Sequence, residues 1–195
     1  MNARMHGVSA FLLGGCLSVA VGGTPATHAD SAAVATSDEL VQILKPEPNA
    51  QACFVRTYSA DHMKKHPQQT VADIRFSLAY VPKPAGSDLS TGSHSYLFGL
   101  TAEQREQDRP FATIGECRQS NRGIECSVEC DGGGIAVVPR GDNKVQLEFG
   151  RFERIGTPEA CSEGPEAEAA AMELRPGVDD RVFLLVKRPL AECQQ

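Results

Sequence analysis

Val71-Ala72-Asp73-Ile74-Arg75-Phe76-Ser77-Leu78-Ala79-Tyr80-Val81 is the stretch that decides the fold. Ala72, Ile74, Phe76, Leu78 and Tyr80 fall on one face, and Asp73, Arg75 and Ser77 on the other. Successive side chains of a strand point to opposite faces, so this period of two predicts a half-buried β-strand. Pro82 and Pro84 end it, because proline cannot donate to a ladder. A polar loop follows to residue 93 and is a candidate lid or recognition loop.

The same short period recurs along the chain. Strands are expected over residues 53–58, 94–101, 111–119, 122–130, 135–139, 144–152 and 182–187. Eight strands separated by turns predict a mainly β fold: an antiparallel meander closed as a small barrel or stacked as a sandwich, with one or two short helices. Residues 59–66 read as one or two helical turns, capped by Ser59 and stopped by Pro67. Thr101 and Gln104 have capping-box spacing, which predicts a helical turn there. The Ala-rich residues 166–174 are the best helix candidate. The strand at 182–186 is apolar on both faces, so it is expected to be central or covered by that helix.

The first 29 residues read as a secretory leader. Arg4 is followed by an uncharged apolar run, and Thr27-His28-Ala29 supplies small residues at a cleavage site. Leu13-Gly14-Gly15-Cys16 also resembles a lipobox, in which Cys16 would carry the lipid anchor. Residues 30–50, rich in Ala, Ser and Thr and then Pro46 and Pro48, read as a flexible tether. Within it Ser37-Asp38-Glu39 is the start signal of a short helix through Leu40, Ile43 and Leu44. Residues 51–195 are then a single β-rich domain, expected to begin folding near Cys53.

Beyond the leader lie Cys53, Cys117, Cys126, Cys130, Cys161 and Cys193. An even count in an exported chain reads as a disulfide framework, which places the protein in the periplasm or outside the cell. Cys53 and Cys193, near the two ends of the domain, are expected to clip its termini together. A hairpin turn between Asn121 and Arg122 sets Cys117 opposite Cys126. That is either a cross-strand disulfide or two core-facing cysteines with other partners. Cys161 is expected to pair with Cys126 or Cys130.

The net charge is −6, with no basic cluster, which argues against nucleic acid and anionic membrane surfaces as partners. No Gly-x-Ser-x-Gly elbow is present, and six cysteines can all pair, so acyl-transfer chemistry has no nucleophile marked for it. Glu125 and Glu129 share a strand face but are about 13 Å apart, too far for a glycosidase pair, and read as a charged solvent face. The triple glycine at 132–134 precedes a strand rather than a helix, so it reads as a turn and not a phosphate cradle. The sharpest polar cluster is Asp61-His62-Met63-Lys64-Lys65-His66. Two histidines four apart share a helix face and can hold a divalent metal, with Asp61 or His94 as a third ligand. The other reading of the same residues is a solvated surface helix.

Cys53 through His62 and His66-Pro67, Cys126 to Gly133, and the last strand closing on Cys193 together resemble a family of small exported proteins of Gram-negative bacteria that carries no assigned activity. The resemblance implies export and a cysteine-stapled domain, and transfers no catalytic residue. The chain therefore reads first as a periplasmic binding or interaction module for a protein or small-molecule partner, with no cofactor. The alternatives are a metal-binding protein or metal-dependent enzyme built on His62, His66 and His94, and an envelope lipoprotein anchored at Cys16.

Overall fold

All eight alternating segments become strands, and together they close on themselves. The computed structural model describes residues 38–82, 94–105, 107–129, 132–157 and 172–194. In chain order the strands are β1 (Gln51–Thr57), β2 (Val71–Pro82), β3 (His94–Gln104), β4 (Phe111–Ser120), β5 (Gly123–Ser127), β6 (Gly134–Pro139), β7 (Lys144–Glu148), β8 (Ile155–Gly156), β9 (Glu173–Leu174) and β10 (Val182–Arg188). Each of β1 to β6 pairs antiparallel with the next, β7 pairs with β10, and β10 returns to β1, so the architecture is a closed eight-stranded barrel and not a sandwich. β8 and β9 form a separate two-stranded sheet.

Alternation sends every second side chain inward. Phe54, Phe76, Leu78, Phe98, Leu100, Phe111, Leu147, Phe183 and Leu185 are all buried. Eight strands enclose a space just wide enough for such side chains. The rings interlock: Phe76 stacks on Phe98 at 6.1 Å between centroids, and Phe149 meets Phe183 edge-on at 5.5 Å. Gly115 faces the same interior. A Cβ there would lie 2.6 Å from the Phe98 ring and collide with the Ser127 carbonyl, so packing admits only glycine.

Two disulfides staple this frame. Cys117 and Cys126 stand directly opposite in the β4–β5 hairpin, face inward and are bonded. Gly123, at φ +104, turns the chain there. Since Cys126 is used, the expected alternative of a Cys126–Cys161 bond is overturned; Cys130 and Cys161 lie outside the described residues. Cys53 joins Cys193 across 140 residues, as the sequence led us to expect, with Cα atoms 5.9 Å apart. The bond holds the 3-10 turn Leu190–Cys193 against β1 and β2. A loop of that length corresponds to about 5 kcal/mol in the chain-entropy account.

Three expectations are corrected. Residues 101–104 are strand, because Ala102 continues the inward face of β3, in register with Ile74 and Phe111. Pairing on both sides overrides a local capping signal. Leu174, expected at the end of a helix, lies in β9 opposite Ile155, and residues 158–171 lie outside the described set. β10 is therefore not covered by the described part of that segment: Val182 and Leu184 are 51% and 43% exposed on its outer face. Finally, the folded chain starts before Cys53. Helix α1 (Glu39–Ile43), capped by the Asp38 carboxylate accepting from Leu40 N, buries Leu40 and Leu44 over the ends of β4, β5 and β6. The Tyr96 hydroxyl donates to the Leu44 carbonyl at 3.1 Å and Gln119 Oε1 accepts from Glu39 N at 3.0 Å, so this part of the expected tether belongs to the barrel.

Two measurements test this packing. Thr113 is 4% exposed and its hydroxyl has no hydrogen-bond partner among the described residues. Thr113→Val removes that orphan at constant shape and should raise stability by about 1 kcal/mol in urea denaturation. Burial, with the charges of Asp38 and Tyr80, pushes the Tyr96 phenol up to about 12 from an ordinary 10.0. The folded state thus holds a proton that the unfolded state loses. The contribution of Tyr96 is complete below pH 10 and fades as pH rises towards 12. Tyr96→Phe should flatten the stability loss across that window while costing about 1 kcal/mol at neutral pH.

Candidate binding cleft at the barrel seam

The barrel closes along its shortest ladder. β1 runs beside β2 for seven registered pairs, from Gln51↔Ala79 to Thr57↔Asp73. Beside β10 it keeps only three: Cys53↔Arg188, Phe54↔Lys187 and Val55↔Val186. Beyond Val55 the two strands part. β1 stays with β2, and Tyr58 N still donates to Ala72 O at 2.9 Å. β10 stays with β7 from Val182↔Glu148 to Val186↔Lys144. A cleft of about 380 Å³ lies at this place, lined by Arg56 and Tyr58 on one side and Val182 and Leu184 on the other.

Helix α2 (Ala60–Lys65) lies at this opening. As its sequence predicts, Ser59 caps it by accepting from His62 N at 3.2 Å, and it ends at His66 before Pro67. His62 and His66 share a face, and their rings stack at 4.3 Å. Tyr58 stacks on the other side of His62 at 4.6 Å, and the Arg56 guanidinium lies over Tyr58 at 4.7 Å. Four planar groups thus form one continuous pile along the cleft. The His66 Nδ1 end faces Asp179 Oδ2 at 3.7 Å. Burial pushes the Tyr58 phenol up, with Arg56 opposing the shift, so the hydroxyl remains a donor at neutral pH.

Buried Gln69 sets the protonation pattern of His62. Its Nε2 donates to the Val71 carbonyl at 2.8 Å, which turns its Oε1 towards His62 Nε2 at 2.9 Å. A carboxamide oxygen only accepts, so the hydrogen of the neutral ring sits on Nε2 and Nδ1 carries the lone pair.

This arrangement separates the residues that the sequence grouped as metal ligands. His62 and His66 come together, but as stacked faces. Their in-plane lone pairs run side by side rather than converging, and one ring nitrogen of His62 is committed to Gln69. His94 is opposite Pro82, at the far end of β2 from Val71 and roughly 35 Å along the strand. Asp61 pairs with Lys64 at 3.4 Å on the solvent side. Among the described residues no group of three or more His, Cys, Asp or Glu is arranged to hold a metal. The carboxylate that does approach the pair is Asp179, a residue with no local sequence mark. Arg56, Tyr58, Gln69 and the exposed β10 residues Val182 and Leu184 also went unmarked. The one legible signal was that 182–186 is apolar on both faces.

The far end of the cleft is fixed by Asp180. This buried carboxylate accepts from Thr70 N and Thr70 Oγ1, each at 2.7 Å, and from Val71 N at 3.2 Å. It ties the approach to β10 to the start of β2, so the opening is held at both ends. A larger depression of about 440 Å³ lies elsewhere, on the outer face of β2 to β4 around Gly99 and Ile114. Its walls are mostly short side chains, and its cation, Arg75, is already paired with Asp73 at 2.8 Å. The seam cleft brings together more unlike groups: a guanidinium, a phenol, two imidazoles and a carboxylate line it. Glu125, for its part, pairs with Arg122 at 2.9 Å on the outer face.

Asp180→Ala leaves two backbone donors without their charged acceptor. It should cost roughly 3 kcal/mol of stability in urea denaturation and loosen the cleft, read as faster amide exchange at Thr70 and Val71.

Compared with known proteins, the chain matches no family model, no curated protein and no solved structure.

Proposed function

We propose that this chain is an exported binding module that engages its partner through the seam cleft on the outside of the barrel. Three features support export: the leader pattern of residues 1–29, the two disulfides, and the resemblance to small exported proteins of Gram-negative bacteria. No described helix is long and apolar enough to cross a membrane. The observation that carries the binding reading is the contrast between interior and seam. The interior is occupied by the protein's own phenylalanine, leucine and isoleucine side chains. The seam instead presents donors, acceptors and aromatic faces beside apolar Val182 and Leu184, the composition of a recognition site. The acidic chain and the absence of a basic cluster in the sequence disfavour nucleic acid as the partner.

The test is amide-resonance mapping against small carboxylates, heteroaromatics and short peptides. Shifts should cluster at Arg56, His62, His66 and Leu184. Shifts centred on the interior-facing Phe76, Phe98 and Leu100, or no shifts with any probe, would sink the reading.

A further inference from the structure

We infer that the seam accepts a short extended acidic polypeptide segment as an added strand on the free edge of β10; this rests on the seam cleft being the binding site. Lys187 N donates to Asn143 O, and Arg181 O accepts from Phe149 N, so the odd-numbered residues of this stretch point their peptide groups towards the β7 side. Strand alternation then turns the peptide groups of Val182 and Leu184 the other way, towards β1. The ladder of β1 with β10 ends at Val55↔Val186, and Val182 to Leu185 are registered with β7 alone, although Tyr58 still meets Phe183 edge-on at 6.4 Å. The peptide groups of Val182 and Leu184, about 7 Å apart, therefore have no registered partner on the β1 side, and both residues line the cleft.

An extended peptide is the occupant whose groups repeat at that spacing. The window between Asp180 and the Val55↔Val186 pair is about four residues long, which sets the length of the segment. Its side chains would lie beside the exposed Val182 and Leu184. Charge selects the rest. Arg56 forms no ion pair among the described residues, and its contact is the face of Tyr58. Lys65 and Arg105 lie nearby on the α2 side, where Arg105 donates to the Met63 and His66 carbonyls. A peptide carboxylate near Arg56 gains a charge-assisted partner there, whereas a basic segment meets only Asp179 at the opposite wall.

The first arm of the test uses the free protein. Hydrogen exchange should be fast at the Val182 and Leu184 amides and slow at Phe183 and Leu185. Equal protection at all four would mean that the edge is already satisfied, and would overturn the inference. The second arm titrates the blocked pentapeptide Ac-Thr-Val-Glu-Val-Thr-NH2, its Lys-for-Glu version and its backbone N-methylated version. The acidic peptide should protect the Val182 and Leu184 amides at least tenfold, and N-methylation should abolish that. Arg56→Gln should weaken binding severalfold without changing the melting temperature. No protection at millimolar acidic peptide overturns strand addition. Binding of the N-methylated peptide, or of octanoate alone, at Arg56 and Leu184 would also overturn it while leaving the seam standing as a binding cleft.

Discussion

The structure depends on one return: β10, the last long strand, must come back to β1, the first. Apart from β7 and β10, between which β8 and β9 intervene, all other neighbours in the barrel are consecutive strands. The β1–β10 contact is different, because about 130 residues separate its two sides and only three registered pairs make it. Without it two edges would open, and Phe54 and Phe183 would lose cover on that side of the core. The Cys53–Cys193 bond is set at this weak point. Cys53 belongs to the first registered pair, and its partner lies five residues past Arg188, so the covalent clip supports the shortest ladder in the barrel.

The closing ladder is the shortest in the barrel. Tyr58 remains registered with β2, while Asp180 holds the start of β10 to Thr70 and Val71. Between these constraints the strands diverge, and α2 brings His62 and His66 to the gap. Polar groups at such a place have to be satisfied, and the protein satisfies most of them locally. Gln69 holds one imidazole nitrogen, Asp179 faces the other ring, and Arg56 rests on Tyr58. Past Val186 towards its start, β10 is registered with β7 alone, and Arg56 has no ion pair among the described residues.

Part of the outer wall carries ion pairs. Around β4 to β7 the outward residues pair among themselves, Arg118 with Glu116, Arg122 with Glu125 and Arg151 with Glu148. Exposed pairs of this kind add little stability, but they keep that face solvated. β10 carries Val182, Leu184 and Val186 outward instead. Leu97 and Ile114 are exposed on the outer wall of β3 and β4 as well.

Local periodicity determined a good deal here by itself. The alternation at 71–81 and its counterparts marked all eight barrel strands, and the Asn121–Arg122 turn placed Cys117 opposite Cys126, as the register has it. The Ser59 cap and Pro67 bounded α2. These features are set by neighbours a few residues apart, through side-chain direction, capping and φ restriction. The choice of barrel over sandwich, the strand state of residues 101–104, the burial of Leu40 and Leu44, and the exclusion of His94 from the histidine pair were decided only in three dimensions. Each depends on which strand lies beside which, and in what register. The seam belongs to this second group: nothing near residue 56 or residue 182 in the sequence records that their strands part after Val55, because that divergence is set by the competing pull of β2 and β7 on the two sides of the gap.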